Sequence, residues 1–227
     1  MLDLNSLNKF VDFVLSQNVL SFGDFTLKSG ISSPYFFNAG GFKTGKALAL
    51  LGEFYADLIA ELIKKEKEKE KLEFDMLFGP AYKGIPLVCS VAIALYKKYG
   101  IDKPYCFNRK EMKDHGEGGA LVGEKLHGKV LIIDDVVTRG TAFEESRKII
   151  ADAGADVVGL CVCLDRQEKQ SGGNQTAIEQ IRKKGFSVEA ILTAENLVNV
   201  LLKKGNEYLP MAEKIKAHLD SYGSERG

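Results

Sequence analysis

The chain has 227 residues, 45% of them hydrophobic, and 31 Lys plus Arg against 31 Asp plus Glu, for a formal net charge of +0. That length suits one domain with a sizeable core, and the balanced charge offers no long-range field toward nucleic acid or an anionic membrane. No apolar run approaches the ~20 residues that cross a bilayer, the start Met1-Leu2-Asp3-Leu4-Asn5 lacks the form of a signal peptide, and a cytoplasmic location is expected.

Leu4, Leu7, Val11, Val14 and Leu15 recur at helical spacing. Phe22 to Lys28 alternates as a strand, Ser29-Gly30 turns it, and Tyr35 to Asn38 resumes extended structure. A long helix is expected from Gly45 to Lys65. It runs into the charged stretch Lys64 to Lys71, whose alternating signs read as a solvated helix extension or loop. Residues 1–73 are expected to supply a small hood over the sheet's carboxyl edge together with the first helices. A strand over Phe74 to Phe78, a helix over Pro86 to Lys97 and a strand over Tyr105 to Phe107 follow. Lys110 to Leu126, carrying Gly116, Gly118, Gly119 and Gly123, reads as polar and too flexible for core. The remaining expectations are strands over Lys129 to Ile133, Val157 to Leu164 and Ser187 to Leu192. Helices are expected over Ala142 to Ala153, Thr176 to Lys184 and Ala194 to Lys203, with a peripheral helical segment after Pro210. Strands alternating with helices give a single α/β domain, with a mainly parallel central sheet and helices on both faces. Cys89, Cys106, Cys161 and Cys163 have no metal or disulfide spacing and read as reduced core residues, Cys161 and Cys163 on one strand face.

The chemistry concentrates at strand ends. Val130-Leu131-Ile132-Ile133 is a buried strand that delivers Asp134 and Asp135 into the turn Val136-Val137-Thr138-Arg139-Gly140-Thr141, and a helix follows from Ala142. Turn amides, the hydroxyls of Thr138 and Thr141 and the helix dipole favour an anion. The two carboxylates would repel a phosphate and suit sugar hydroxyls or a hydrated cation. The ligand therefore carries both a phosphate and a hydroxyl-rich sugar. A second strand-to-helix turn, Phe78-Gly79-Pro80-Ala81-Tyr82-Lys83-Gly84, opens on the same edge, with Lys83 as a point charge and two glycines that would let backbone approach a ligand. Arg109, Lys110, Lys113 and His115 lie within seven residues ahead of flexible glycines and form a candidate lid, with Lys113 and His115 candidate catalytic groups beside Asp134 and Asp135. Lys28 could meet a carboxylate, and Phe36 and Phe37 could wall a flat ring, core packing being their alternative. Arg166 sits past a strand end, where its planar fork suits a carboxylate, a surface ion pair with Asp165 or Glu168 being the alternative.

The run from Val130 to Thr141 resembles the ribose-phosphate signature of the type I phosphoribosyltransferases, with Arg139 where many members carry a small residue. Phe25-Thr26-Leu27-Lys28-Ser29-Gly30, Phe78-Gly79-Pro80-Ala81-Tyr82-Lys83-Gly84 and the segment from Asn108 to Gly118 are similar to those of the orotate phosphoribosyltransferases. The resemblance implies phosphoribosyl transfer from phosphoribosyl pyrophosphate to orotate. It assigns the ribose hydroxyls to Asp134 and Asp135 and the 5′-phosphate to Val136, Val137, Thr138, Arg139, Gly140, Thr141 and Ala142. The pyrophosphate falls to Tyr82, Lys83, Arg109, Lys110, Lys113 and His115, with Lys28 also near the donor. Orotate falls to Lys28, Phe36, Phe37, Thr138 and Arg166. Magnesium is implied through the substrate pyrophosphate and water, with no metal ligand from the protein. A homodimer with lids shared across subunits is implied, as is a cis Ala81–Tyr82 peptide. Two rivals are a purine phosphoribosyltransferase, which should lack Lys28 and Arg166, and a non-catalytic regulator, which would need a basic DNA-reading element. A nucleotide kinase is excluded, because no Gly-x-x-x-x-Gly-Lys-Ser/Thr occurs.

Overall fold

Six strands build the central sheet: β3 (Met76–Gly79), β4 (Tyr105–Lys113), β5 (Gly119–Gly123), β6 (Lys129–Ile133), β7 (Asp156–Asp165) and β8 (Ser187–Thr193). This computed structural model describes residues 2–27, 30–64, 72–113, 119–170 and 172–224, apart from the side chains of residues 112, 113 and 119. The strand order is β5-β4-β3-β6-β7-β8, and every pairing is parallel except β4 with β5. The chain leaves β3 toward β4 and returns on its other side as β6. The carboxyl ends of β3 and β6 therefore flank a reversal of strand order, where open α/β sheets bind ligands.

Alternation along the strands divides two cores. Leu77, Leu131, Ile133, Cys161 and Cys163 face one side, and Met76, Phe78, Val130, Ile132, Leu160 and Val162 face the other. The first face is covered by α2 (Gly45–Ile63), α3 (Gly84–Tyr99), α6 (Ala194–Lys204) and α7 (Leu209–Tyr222), with α1 (Leu4–Ser16) packed beyond. The second is covered by α4 (Thr141–Asp152) and α5 (Ala177–Lys183), through Phe143, Ile150, Ile178 and Ile181. Helices on both faces of a mainly parallel sheet are what the alternating pattern predicted, and all four cysteines are free thiols, Cys161 and Cys163 sharing a face. Helices α1, α2 and α5 start where side chains cap their free amides: Asp3 accepts from Ser6, Thr44 from Ala47, and Thr176 forms a reciprocal box with Glu179. Outside the main sheet, β1 (Leu20–Thr26) and β2 (Ser32–Phe37) form a separate antiparallel pair.

Two expectations are overturned here. The stretch Lys110 to Leu126, read as too flexible for core, holds strand and a core residue: β4 continues to Lys113 and pairs with β5, because the alternation Tyr105-Cys106-Phe107 is carried outward as an antiparallel ribbon, and Leu126 is buried after it. The helix after Pro210 is not peripheral: α7 buries Ala212, Ile215 and His218, which share one helical face. The charged residues 65–71 lie outside the described residues.

Candidate active site

The turn after β6 is built by its own backbone. Asp135 donates its amide to Asp134 Oδ1 at 2.9 Å, and Val136 donates to Asp135 Oδ1 at 2.9 Å, so each carboxylate spends one oxygen fixing the turn. The neighbouring strand holds it from the side: Asp134 donates to the Cys161 carbonyl at 3.1 Å, and Cys163 donates to the Asp135 carbonyl at 2.8 Å. From α2, the buried Tyr55 hydroxyl donates to the Asp134 carbonyl at 2.6 Å. Burial, followed by the charge of Asp135, pushes the Asp134 carboxyl up to about 7.

Beyond the pair, Val136, Val137, Thr138, Gly140, Thr141, Ala142 and Asp134 line a cavity of about 290 Å³. Gly140 adopts the left-handed conformation, at φ 76°, and starts α4 with no side-chain cap. The first-turn amides of this 12-residue helix therefore face the cavity end without an internal acceptor of their own, the usual situation of an anion cradle. Arg139 is exposed and does not line the cavity, so the cradle is formed without its side chain.

The β3 turn sits opposite. Lys83 Nζ lies 2.7 Å from Asp135 Oδ2, joining the two turns across the strand-order reversal. Ala81 donates its amide to Asn108 Oδ1 at 2.9 Å, and the Ala81–Tyr82 peptide is cis, as expected. The glycines of this turn also answer to packing. A Cβ on Gly79 would meet the Gly84 carbonyl at 2.2 Å, and one on Gly84 would meet Pro80 Cδ at 2.6 Å. Strand-to-helix packing inside the turn already requires both glycines. Tyr82 is 63% exposed, and Lys110 Nζ lies 5.2 Å from its ring centroid, which brings the β4–β5 ribbon to this turn. Arg109 lies on the same ribbon. The Lys113 side chain, His115 and Lys28 lie outside the described residues.

The third turn follows β7. Arg166 Nη2 donates to Glu168 Oε1 at 2.7 Å and to Ser33 Oγ at 2.8 Å, and its guanidinium lies 4.1 Å from the Tyr35 ring centroid. The alternative of a surface ion pair is half right: Glu168 is the partner, but the pair is buried, with side-chain exposures of 11% and 12%. Asp165 accepts the Gln167 amide instead. Of the two phenylalanines, Phe37 belongs to the core, whereas Phe36 is 41% exposed and packs on Phe25 at 5.5 Å. Tyr35, between the core and Arg166, shares the inward face of β2 with Phe37 because the strand alternates.

Comparison with known proteins meets this geometry. The phosphoribosyl transferase domain family matches residues 52–190. The orotate phosphoribosyltransferase of Vibrio parahaemolyticus is 50% identical over 217 residues, 95% of this chain and 97% of that protein. That of Actinobacillus pleuropneumoniae is 48% identical over 214 residues, 94% of this chain and 96% of that one. The chain belongs to the orotate phosphoribosyltransferases. The crystal structure of the Francisella tularensis orotate phosphoribosyltransferase, 42% identical, superposes with a TM-score of 0.83 over 95% of this chain and 100% of that one.

Within this orotate phosphoribosyltransferase, sequence reasoning missed the residues that act through others. Tyr55 sits in an apolar helix face and carries no local signal. Asn108 lies in a segment singled out for its cations, and its amide escaped notice. Ser33 and His218 are 185 residues apart in sequence, and only the fold brings both to the Arg166–Glu168 pair. Among the described residues no three His, Cys, Asp or Glu side chains are grouped to hold a metal ion, and no helix is long and apolar enough to cross a membrane.

Proposed function

We propose that the three turns divide the substrates of phosphoribosyl transfer between them. The enzyme transfers the 5-phosphoribosyl group of phosphoribosyl pyrophosphate to orotate, giving orotidine 5′-monophosphate and pyrophosphate in pyrimidine biosynthesis. In our reading Asp134 and Asp135 hold the ribose hydroxyls, and the cavity from Val136 to Ala142 takes the 5′-phosphate. Tyr82 and Lys83 take the pyrophosphate, with Arg109, Lys110 and Lys113 supplied by β4 and His115 following in sequence. Arg166, with Lys28, Thr138 and the backbone at Phe36 and Phe37, surrounds orotate. The observation that carries this reading is the 2.7 Å contact of Lys83 with Asp135, which sets the expected pyrophosphate and ribose sites side by side. A donor spanning both would displace that contact and take each partner separately.

Cleavage of the bond to pyrophosphate builds cationic character at the anomeric carbon and negative charge on the leaving group. The ribbon cations stabilise that charge, the acidic pair orients the sugar, and orotate nitrogen attacks the carbon so exposed. Magnesium, arriving on the substrate pyrophosphate, would neutralise part of its charge. Hard carboxylate oxygens beside the donor suit that ion's coordination without requiring a protein-built cage. We also propose a cytoplasmic homodimer with ribbons reaching the neighbouring site. Exposed Ile93 and Tyr96 on α3, with Tyr105 on β4, support an apolar contact there.

The test is the absorbance loss of orotate in the presence of phosphoribosyl pyrophosphate, with and without magnesium, alongside hypoxanthine, adenine and uracil. Consumption of orotate alone, lost on chelation, is expected. Preference for a purine would overturn the assignment of Arg166.

A further inference from the structure

The reaction as derived leaves His218 without a task, yet its placement is specific. It lies on α7, 50 residues from Glu168 in sequence, with 4% of its side chain exposed. Its Nε2 is 2.9 Å from Glu168 Oε1. The same oxygen accepts from Arg166 Nε at 3.1 Å and Arg166 Nη2 at 2.7 Å. Burial alone would raise the Glu168 carboxyl, but the hydrogen bonds from His218 and Arg166 hold it below the ordinary glutamate value. It is therefore an ionised acceptor, and the imidazole must carry its proton on Nε2 to meet it.

The rest of Arg166 is equally constrained. Its face lies on Tyr35, and Ser33 Oγ accepts from Nη2 while donating to the Tyr35 carbonyl at 2.9 Å. Glu168 and Ser33 occupy the Nε and Nη2 edge, and Nη1 makes no hydrogen bond to any described residue. The fork is gripped along one side and offers the other. The grip comes from the C-terminus: Lys169 donates its amide to the Tyr222 carbonyl at 2.8 Å, and Ser224 donates to the Gln167 carbonyl at 3.4 Å. The last turn of α7 is thus stitched to the Arg166 turn by backbone, and His218 adds a side-chain stitch from one turn earlier.

We propose that His218 is a positioning residue for the acceptor's carboxylate: it fixes the Glu168 rotamer, and Glu168 in turn fixes the direction in which Arg166 presents its free edge. This rests on the reading that Arg166 faces orotate. A glutamate free to rotate would let the guanidinium swing on Tyr35, and displacement on the order of 1 Å is enough to weaken a bidentate or directed contact severely. A positioning effect of this kind touches the carboxylated acceptor and nothing else.

The experiment compares H218L, H218N, H218Q and R166A in the full-length enzyme. Readouts are KM for orotate, KM for phosphoribosyl pyrophosphate, kcat, the inhibition constant of uracil, which lacks the carboxylate, and Tm. H218L should raise KM for orotate about tenfold, the usual consequence of losing one hydrogen bond to a charged group. Donor KM, kcat and uracil inhibition should stay within about twofold. H218Q, whose amide can donate to Glu168, should restore most of the loss. H218N, too short to reach, should behave as H218L and substitutes for it if the leucine variant does not fold. R166A raising orotate KM while neither H218L nor H218N does would overturn the proposal and leave the assignment of Arg166 standing. R166A without effect on orotate would defeat that assignment itself. Equal losses toward both substrates, with no recovery in H218Q, would reduce His218 to a packing residue and also overturn the proposal.

Discussion

The turns after β6 and β7 sit on adjacent parallel strands, end at the same edge, and each carries two carboxylates, yet they treat charge in opposite ways. After β6, Asp134 and Asp135 are fixed by backbone amides, and their only described cation is Lys83, whose side chain is 58% exposed. After β7, Glu168 Oε1 is held by two internal side chains, Arg166 and His218, while Asp165 caps its own turn. In the proposed function the first turn keeps its acidic groups for a ligand, and Lys83 is the partner that ligand displaces. The second consumes its acids internally so that an arginine can be delivered. Strand position alone does not decide what a turn presents; the partners supplied by distant elements do.

The largest effect that separates the turns belongs to the donor side. Lys113→Ala should lower kcat by more than ~10² with little change in donor binding, as for a contact made mainly in the transition state; single-turnover rates and donor Kd check it. Asp135→Asn should lower kcat/KM for the donor by ~30–100-fold, the scale of one charge-assisted hydrogen bond. Orotate binding should stay unaffected, which titration calorimetry would register. Tm should hardly move, because the Lys83 partner is exposed and such pairs add under ~1 kcal/mol.

Glu168→Gln should do the reverse in stability. It leaves the Arg166 charge buried beside a neutral amide, and denaturant unfolding should show a loss on the order of 2 kcal/mol. Equal stability losses at Asp135 and Glu168 would erase the contrast between the turns. The remaining contrast lies in pH. Asp134 is pushed up to about 7 from 3.8, so the fold favours its protonated form. Its contribution to stability is present below the unfolded value and is lost as pH rises toward 7. The ligand-free enzyme should therefore lose Tm between pH 5 and about 7.5 relative to Asp134→Asn, and a parallel pair of curves would contradict it.

Local chemistry made the first turn readable. An aliphatic run, an acidic pair and a glycine that takes a left-handed φ are neighbours in the chain, and a strand feeding a helix must put them at one edge. Lys83 was readable for the same reason. The ribbon was misread from Lys110 onward because glycines and charges also suit a loop, and only pairing with β5 distinguishes the two. Gly79 and Gly84 were legible as special positions, but the close contacts within the turn that demand them, Gly79 with Gly84 and Gly84 with Pro80, are invisible without coordinates. Phe36 and Phe37 are neighbours in β2, so only one of them could join the core, and pairing of β1 with β2 decided that it is Phe37.

What the chain determined by itself is the layered fold and the position of three strand-end turns, because hydrophobic period and turn chemistry act over a few residues. What only the tertiary structure decided is which charges those turns have left to offer. Tyr55 under Asp134, Ser33 against Arg166, and His218 behind Glu168 come from helices and strands 79, 133 and 50 residues away from the groups they hold. Hydrogen bonds and ion pairs are short-ranged and directional, so their partners are fixed by packing, and packing is a property of the whole chain.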